Sequence, residues 1–314
     1  SVMALYNKSK IVSGGSSNTV FLQGSVLNAY DTSSVSLNNL TFNSDFAFNF
    51  YDRTILGANN ITIEENSNLN FYNYSSLQVA DTLNILENVI QNINFFSCGS
   101  LLVNPGTELK ILGTANNPVN IYNGGFNFKG SQDVYVQYCN FYQTRLYIEP
   151  DNGLLNSVIV QNCMFDNCQN TGIHSGNNIL IKNCTYLNCP YGAITIHKNN
   201  LSGGVELKKL AVESFDNTNA ISLRNINSVL MDSCLIANGN SGILIRGVNN
   251  LVISNNNLSQ VVTGITVGEK PRPPEEIALN QISIRNNIIQ AERTGIIFYE
   301  NSYTTISIKS NELL

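Results

Sequence analysis

The stretch NCTYLNCPYGAITIH, residues 183–197, contains two cysteines five positions apart, then a Gly-Ala-Ile segment and a histidine. The preceding stretch NCMFDNCQNTGIHSG, residues 162–176, has the same cysteine spacing and again a histidine. Apolar residues lie five and three positions before Cys184 and two positions after it. This pattern recurs at seven consecutive anchors, which are Cys139, Cys163, Cys184, Leu210, Cys234, Asn256 and Asn287. The chain is therefore built from an internal repeat.

Each repeat predicts three short strands joined by three turns. Apolar and polar residues alternate around each anchor, which is typical of strands with one buried face. A small residue and a third short strand follow, as in Gly192-Ala193-Ile194. Successive anchors are 24, 21, 26, 24, 22 and 31 residues apart, too close for a propeller blade of about 40–45 residues. We predict an all-β fold, a single-stranded right-handed parallel β-helix (solenoid) with three short strands in each coil of about 21–31 residues.

The repeat predicts one β-helix domain over residues 1–314. Residues 1–30 are expected to form an N-terminal cap or the first coil. The longest coil contains VGEKPRPPEEIALN, residues 267–280, which holds three of the seven prolines. Pro-rich segments are extended and stiff, so we expect this one to protrude as a loop.

The cysteines and asparagines are expected to be structural. The anchor position is a cysteine in several coils and Leu210 in another, and both residue types are commonly buried. The anchor column should therefore point into the core. A zinc site would need four converging ligands, which stacked columns do not supply, so we expect neither metal nor cofactor. Asparagine, present 51 times, suits the tight turns of each coil and can hydrogen-bond along a stack. The cysteines predicted to be buried are Cys139, Cys163, Cys184 and Cys234, with Cys168 and Cys189 in a second column.

Charge and hydropathy exclude two classes of partner. Only 12% of the residues are charged, the net charge is -5, and there is no basic cluster. Proteins that bind nucleic acid need Lys/Arg stripes to neutralise phosphates, so we expect no nucleic-acid partner. No segment has the ~18 apolar residues of a membrane span, so we expect no membrane insertion.

The coils over about residues 30–314 resemble the right-handed parallel β-helix repeat proteins of the pectate-lyase-like superfamily. That scaffold carries polysaccharide lyases, glycosidases, phage tailspikes and adhesins. The residue sets that mark polygalacturonase-type hydrolases are absent. Among adhesins, the chain is similar to the tāpirin type of bacterial cellulose-binding surface protein. The resemblance implies an extracellular or cell-surface location, or a virion surface for a tailspike.

The third strands place a column of polar residues at their outer ends. It holds His197, Arg224, Arg246, Gly268 and Tyr299. Arginine binds carboxylates through paired hydrogen bonds and tyrosine stacks on sugar rings, so all but the glycine are candidate ligand-binding residues. His174 directly follows Ile173 and is expected outside this column. The next position outward holds Lys198, Asn225, Gly247, Glu269 and Glu300.

Exposed tyrosines offer a second route to a glycan. Tyr135, Tyr138, Tyr142 and Tyr147 lie in one coil, and Tyr135 should face outward between two buried valines. A row of such rings could hold a neutral glucan. Tyr135 and Tyr147 are therefore the aromatic candidates.

The sequence thus predicts an extracellular, non-catalytic polysaccharide-binding adhesin domain for a plant-type or cell-surface glycan, monomeric in solution. A neutral polymer is favoured because an acidic chain repels a polyanion. The alternative is a polysaccharide lyase or glycoside hydrolase, including a trimeric phage tailspike-type depolymerase. In that case the catalytic candidates are Arg224, Arg246, Glu269 and Glu300.

Overall fold

The computed structural model describes residues 2–7, 10–12, 18–21, 26–42, 47–52, 54–63, 68–73, 76–85, 92–97, 100–103, 108–112, 114–116, 118–129, 133–149, 157–174, 177–198, 203–268, 279–299 and 303–314. The chain divides into two compact units, unit 1 (Ser1–Leu155) and unit 2 (Asn156–Leu314). Whether the two form a single domain stays a prediction. Most of the Pro-rich loop, residues 269–278, lies outside the described residues.

Unit 1 consists of short strands that pair in parallel with strands of the next coil. For example, β1, β4, β6, β8 and β10 pair one after another. Its strands are β1 (Val2–Leu5), β2 (Lys10–Val12), β3 (Asn18–Phe21), β4 (Val26–Ala29), β5 (Ser34–Phe42), β6 (Ala47–Phe50), β7 (Ile55–Ile63), β8 (Asn68–Asn73), β9 (Ser76–Ile85), β10 (Asn92–Ser97), β11 (Ser100–Val103), β12 (Glu108–Leu112), β13 (Val119–Lys129), β14 (Asp133–Gln137) and β15 (Cys139–Glu149).

Unit 2 has the same parallel pairing; its first strands have three to five residues, whereas β23 and β24, of 22 and 20 residues, run through the corners of the coil. Its strands are β16 (Ser157–Gln161), β17 (Met164–Asp166), β18 (Thr171–Ile173), β19 (Asn178–Lys182), β20 (Thr185–Leu187), β21 (Ile194–His197), β22 (Gly204–Lys208), β23 (Ala211–Asp232), β24 (Leu235–Ser254), β25 (Asn257–Val267), β26 (Leu279–Arg285), β27 (Ile288–Phe298), β28 (Tyr303–Lys309) and β29 (Glu312–Leu313).

The strands of unit 2 stack into three parallel sheets. Sheet 1 contains β16, β19, β22, the last part of β23, the last part of β24, β26 and β28. Sheet 2 contains β17, β20, the first parts of β23, β24, β25 and β27, and β29. Sheet 3 contains β18, β21, the middle parts of β23 and β24, and the last parts of β25 and β27. The predicted parallel β-helix with three strands in each coil is confirmed.

The core of unit 2 is made of vertical columns of apolar side chains, one residue from each coil. Val158 pairs with Ile179, which pairs with Val205, and all three are buried. On sheet 2, the rings of Phe165 and Tyr186 stack with their centroids 4.6 Å apart. Burying these columns in register supplies the hydrophobic stabilisation that short isolated strands lack.

The anchor column points into the core, as predicted. Each anchor carbonyl in unit 2 accepts a hydrogen bond from the next coil, for example Cys163 O from Thr185 N at 2.9 Å. In unit 1, Cys139 is buried, and its thiol lies 3.6 Å from Ile111 O. The cysteines that are buried and free are Cys139, Cys163, Cys168, Cys184, Cys189 and Cys234.

The turns explain much of the asparagine content. Asn162, Asn183, Asn255 and Asn286 precede the anchor and have φ between 52° and 57°, a left-handed conformation that asparagine tolerates. Asn183 Nδ2 donates to Asn162 Oδ1 of the neighbouring coil at 3.0 Å. The predicted roles of asparagine in turns and in stacks are confirmed at these positions.

The glycines at the start of the sheet 3 segments are required by steric contact with the neighbouring coil. A Cβ at Gly242 or Gly264 would collide with the backbone carbonyl of the residue stacked on it, Gly264 and Gly295 respectively. The adjacent coil therefore approaches too closely for a side chain at this corner.

A buried asparagine ladder replaces the cysteines towards the end of the chain. Asn256 Oδ1 accepts from the amide of Cys234 at 2.9 Å, and Asn256 Nδ2 donates to Asn287 Oδ1 at 2.9 Å. Asn287 Nδ2 donates to Asn311 Oδ1 at 2.8 Å and to Ile253 O at 3.1 Å. Asn256 and Asn287 are almost fully buried, so each amide is satisfied only while its neighbours stay in register.

The first prediction concerns the anchor column. Burial, followed by the neighbouring Cys163, raises the pKa of Cys184 well above its ordinary value. Cys184→Ser places a hydroxyl in an apolar stack and should lower the free energy of unfolding by about 1–3 kcal/mol. Denaturant titration measures this, with the half-buried neighbour Thr185→Ser as the control. Rapid labelling of Cys184 by a thiol reagent in the native state would contradict the register.

The second prediction concerns the asparagine ladder. Asn287→Leu supplies an apolar side chain, as Leu210 does naturally, but it removes the acceptor of the Asn256 backbone amide and of Asn256 Nδ2, and one of the two donors to Asn311 Oδ1. Buried polar groups without partners cost about 1–3 kcal/mol each, so we expect a loss of at least about 2 kcal/mol in unfolding free energy. The double variant Asn256→Leu/Asn287→Leu should cost less than the sum of the single variants. Strict additivity would argue against coupling along the ladder.

Candidate functional site

The predicted polar column on sheet 3 is present in the structure. His197 pairs with Arg224, and Arg224 pairs with Arg246. The residues just before them, Ile196, Leu223 and Ile245, are completely buried, so strand alternation turns the column outward. Arg224 is exposed, whereas His197 and Arg246 are half-buried. Gly268 and Tyr299 continue the column through backbone hydrogen bonds to Ile245 O and Val267 O.

The expectation that His174 lies outside this column is wrong. Ile173 pairs with Ile196, which places His174 directly beside His197, and their ring centroids are 6.0 Å apart. Aligning the third strands of these two repeats by their sequence places Ile173 opposite Ile194 instead. The turn after Cys189 is two residues longer than the turn after Cys168, and this insertion shifts the register of the third strand. We call the four residues His174, His197, Arg224 and Arg246 the basic ladder.

Lys198 differs from its predicted position on the outside of the coil. Strand alternation continues past His197, so Lys198 turns inward, and its side chain is fully buried. Burial lowers its pKa from an ordinary value of 10.5 to about 8. Lys198 is therefore not part of the solvent-facing column.

The electrostatics of the basic ladder are those of a cationic surface. Burial, then the charge of Arg224, then that of His174 lower the pKa of His197. Burial and neighbouring cations both disfavour the protonated form of His197, so the two arginines dominate the positive charge of the ladder.

The tyrosine candidates do not form one row. Tyr135 pairs with Lys110 on one sheet of unit 1, Tyr142 pairs with Tyr122 on the second, and Tyr147 pairs with Asn127 on the third. The Arg145 guanidinium also lies over the ring of Tyr147, 4.7 Å from its centroid. Tyr135 and Tyr147 are half-buried, and one ring face of Tyr147 is already occupied.

The carboxylates predicted for the catalytic alternative, Glu269 and Glu300, lie outside the described residues. Among the residues that are described, no three His, Cys, Asp or Glu side chains form a group able to hold a metal ion. No helix in the described part of the chain has the length and apolar character needed to cross a membrane.

A groove on the outer face of sheet 1 in unit 2 was not predicted. It has a volume of about 470 Å³. Its floor is an outward-facing column in which successive coils contribute one residue each, in direct register. The floor residues are Ile159, Leu180, Glu206, Leu230 and Val252.

A polar wall runs beside the apolar floor. It is a second column in the same register, two residues earlier on each strand. Asn178 and Asn250 are exposed, and the hydroxyl and glycine positions between them are half-buried. The wall residues are Ser157, Asn178, Gly204, Ser228 and Asn250. The groove thus offers a largely apolar surface edged with neutral hydrogen-bonding side chains at four of its five coils.

One acidic side chain lies within the groove floor. Glu206 Oε2 is 2.6 Å from Lys208 Nζ, and both side chains are partly solvent-exposed. Among the groove residues that the structure describes, Glu206 is the single carboxylate.

The groove had a sequence signal that alternation alone did not reveal. The first strands read VIV, ILI, VLM and LVI at residues 158–160, 179–181, 229–231 and 251–253. The central residue of each triplet faces outward, where a half-buried strand ordinarily has a polar residue. Three consecutive apolar residues in four of the five coils therefore mark a largely apolar outer surface, which Glu206 interrupts.

The observed coils define a parallel β-helix protein. Residues 175–313 match the family model described as right-handed beta helix region. The fold is accordingly a right-handed parallel β-helix, which is consistent with the pectate-lyase-like superfamily and is found among polysaccharide-related proteins. No curated protein and no solved structure gave a match to the chain.

The third prediction concerns the buried cation Lys198. Between pH ~8 and ~10.5 the native state has lost this proton while the unfolded chain keeps it, so the contribution of Lys198 to stability rises with pH. Below pH 8 both states are protonated and the full cost of burying the charge remains. Relative to the wild type, Lys198→Met should therefore gain more free energy of unfolding at pH 7 than at pH 9.5. Denaturant unfolding measures both gains.

The control for this prediction is Lys309→Met, because Lys309 is exposed on β28. We expect it to change the free energy of unfolding equally little at the two pH values. An effect of Lys198→Met on the free energy of unfolding that is equal at pH 7 and pH 9.5 would contradict the lowered pKa of Lys198.

Proposed function

We propose that this protein is a non-catalytic polysaccharide-binding domain that holds a neutral glycan in the groove of unit 2. The observation that carries the proposal is the repetition of the groove along the coils. Each of five coils adds an outward residue to the floor, and four of them add a small polar residue to the wall. A surface that repeats every ~4.8 Å suits a ligand that also repeats, and a linear polysaccharide is such a ligand.

The chemistry of the groove supports a neutral sugar. The C–H faces of pyranose rings are apolar and can cover Leu180, Leu230 and Val252. Ring hydroxyls can exchange hydrogen bonds with the amides of Asn178 and Asn250. Concave sites with an apolar lining and a few placed polar groups are the usual form of ligand sites.

Binding without hydrolysis follows from the same lining. Glycoside hydrolysis ordinarily uses two carboxyl groups about 5–10 Å apart across the scissile bond. Glu206 is the single carboxylate among the described groove residues, and Lys208 is paired with it. The proposed role is therefore attachment to a glycan, in the manner of an adhesin, outside the cell or at its surface. The proposed form in solution is a monomer.

The tyrosines have a smaller part in this proposal than the sequence suggested. Tyr135 and Tyr147 lie on different sheets of unit 1, so they do not form one stacking platform. The preference for a neutral polymer is kept, but aliphatic floor residues supply the apolar contact in place of aromatic rings.

The fourth prediction tests the groove. Leu180→Ser/Leu230→Ser should lower retention on insoluble cellulose and on soluble neutral glucans by about tenfold or more, because each buried methylene contributes roughly 0.8 kcal/mol. The control is Leu235→Ser/Ile288→Ser, which makes the same change at exposed positions on sheet 2 and should bind within about twofold of the wild type. Binding should vary little with salt, because no charge attracts the ligand.

Two results would overturn the proposal. One is the absence of retention on every neutral polysaccharide tested. The other is release of reducing or unsaturated ends during incubation, which would make the chain a depolymerase. A trimer in sedimentation measurements, together with such release, would favour a tailspike-type enzyme.

A further inference from the structure

The basic ladder repeats one cationic position in four successive coils. Ile173 pairs with Ile196, so His174 and His197 occupy adjacent coils, and His197, Arg224 and Arg246 pair directly. All four face outward on sheet 3, since the residues preceding them are buried. Only 12% of the chain is charged, so this concentration of basic side chains in one column is unusual for the molecule.

Small neutral residues flank the first three positions of the ladder, and Leu244 flanks Arg246. Two positions earlier on the same strands, the outward column begins with Gly172, Thr195 and Ser222, which pair in register. Thr195 and Ser222 are half-buried and short, and Gly172 has no side chain. A shelf of this kind leaves space for a ligand beside the cationic groups and provides hydroxyls that can donate or accept hydrogen bonds.

Stacking like charges has a cost that a ligand can offset. Like charges directly opposite each other on neighbouring strands are destabilising, and Arg224 lies directly opposite Arg246. Burial lowers the pKa of His197 most, and the charges of Arg224 and His174 lower it further. An anion bound along the column would attract Arg224 and Arg246, reduce the repulsion between them and favour the protonated form of His197.

We propose that the basic ladder is a second binding site, which takes the carboxylate or sulfate groups of a linear acidic glycan lying along the coils of sheet 3. The planar guanidinium groups of Arg224 and Arg246 can each bind such a group through two parallel hydrogen bonds. The regular spacing of the ladder favours a polymer with regularly repeated anionic groups over a small anion. This site is independent of the groove, which lies on sheet 1.

Nucleic acid is a poorer fit to the same surface. Duplex binding neutralises many phosphates with extended Lys/Arg surfaces, whereas the ladder is a single column with two arginines. The fold is also found among polysaccharide-related proteins, which favours the glycan.

The fifth prediction tests the ladder in the whole chain. The probes are polygalacturonate for carboxylates, dextran sulfate for sulfates and unsubstituted dextran as the neutral control, measured by affinity electrophoresis or calorimetry at low and high salt. Arg224→Gln/Arg246→Gln should weaken binding of the acidic probe by at least about tenfold. Wild-type binding should itself weaken as salt shortens the Debye length from ~10 Å at 0.1 M to ~3 Å at 1 M.

The matched control removes two basic charges from a different face. Arg285→Gln/Lys309→Gln alters paired, exposed residues of sheet 1 and should change affinity for the acidic probe by less than about threefold. Arg224→Lys/Arg246→Lys keeps the charge but loses the planar fork, so it should bind between the wild type and the glutamine variant. This variant also provides a readout if the glutamine variant folds poorly.

The outcomes separate the sources of the anion and the two proposed sites. Binding of polygalacturonate alone, or of dextran sulfate alone, supports the ladder and identifies the anionic group. Equal losses in the ladder variant and the sheet 1 control would overturn the proposal in favour of general electrostatic attraction. Preferred binding of duplex DNA through the ladder would also overturn it. Leu180→Ser/Leu230→Ser should leave acidic binding unchanged, so failure of the groove and failure of the ladder are distinguishable.

Discussion

The stacking of parallel coils in register is the constraint on which the rest of the structure depends. Each strand is too short to be stable alone, and it becomes stable when its backbone pairs with the coils on both sides and its apolar face joins a continuous column. A one-residue shift would turn the whole apolar face outward, so register is strongly specified. Phe165 on Tyr186, and Val158 on Ile179 on Val205, are the direct result.

Register also decides which polar residues the interior accepts. A side chain in a column faces its counterparts at a fixed distance, so an amide can both donate and accept along the stack. Asn256 and Asn287 use this, because each receives a hydrogen bond from one neighbour and gives one to another. Isolated asparagines at these buried positions would be costly, whereas a ladder of them is satisfied. Lys198 differs from these asparagines because it carries an ionisable group, and burial lowers its pKa to about 8.

The sequence predicted the inward face well and the outward face poorly, for one physical reason. Inward positions repeat the same hydrophobic requirement in every coil, so a spacing rule based on Cys184 and its neighbours locates them. Outward positions are free to vary, and turns can gain residues without disturbing the core. The turn after Cys189 is longer than the turn after Cys168, so the third strand pairs in a register different from the expected one. His174 therefore lies beside His197. The groove was not predicted because strands with one buried face ordinarily have polar residues on the outer face, whereas Leu180 and Leu230 occupy outward positions.

The separation of inward and outward requirements is what allows such a coil to carry more than one binding surface. The inward columns of sheets 1 and 3 are both apolar. Their outward columns differ in chemistry, with Leu180 and Leu230 on sheet 1 and Arg224 and Arg246 on sheet 3. Substitution on either outer face changes little of the packing that stabilises the coil. Because each outward column repeats at the strand spacing, it presents a line of similar contacts rather than a single pocket. A line of individually weak contacts gains affinity with the length of the ligand, so such surfaces select polymers over their monomers.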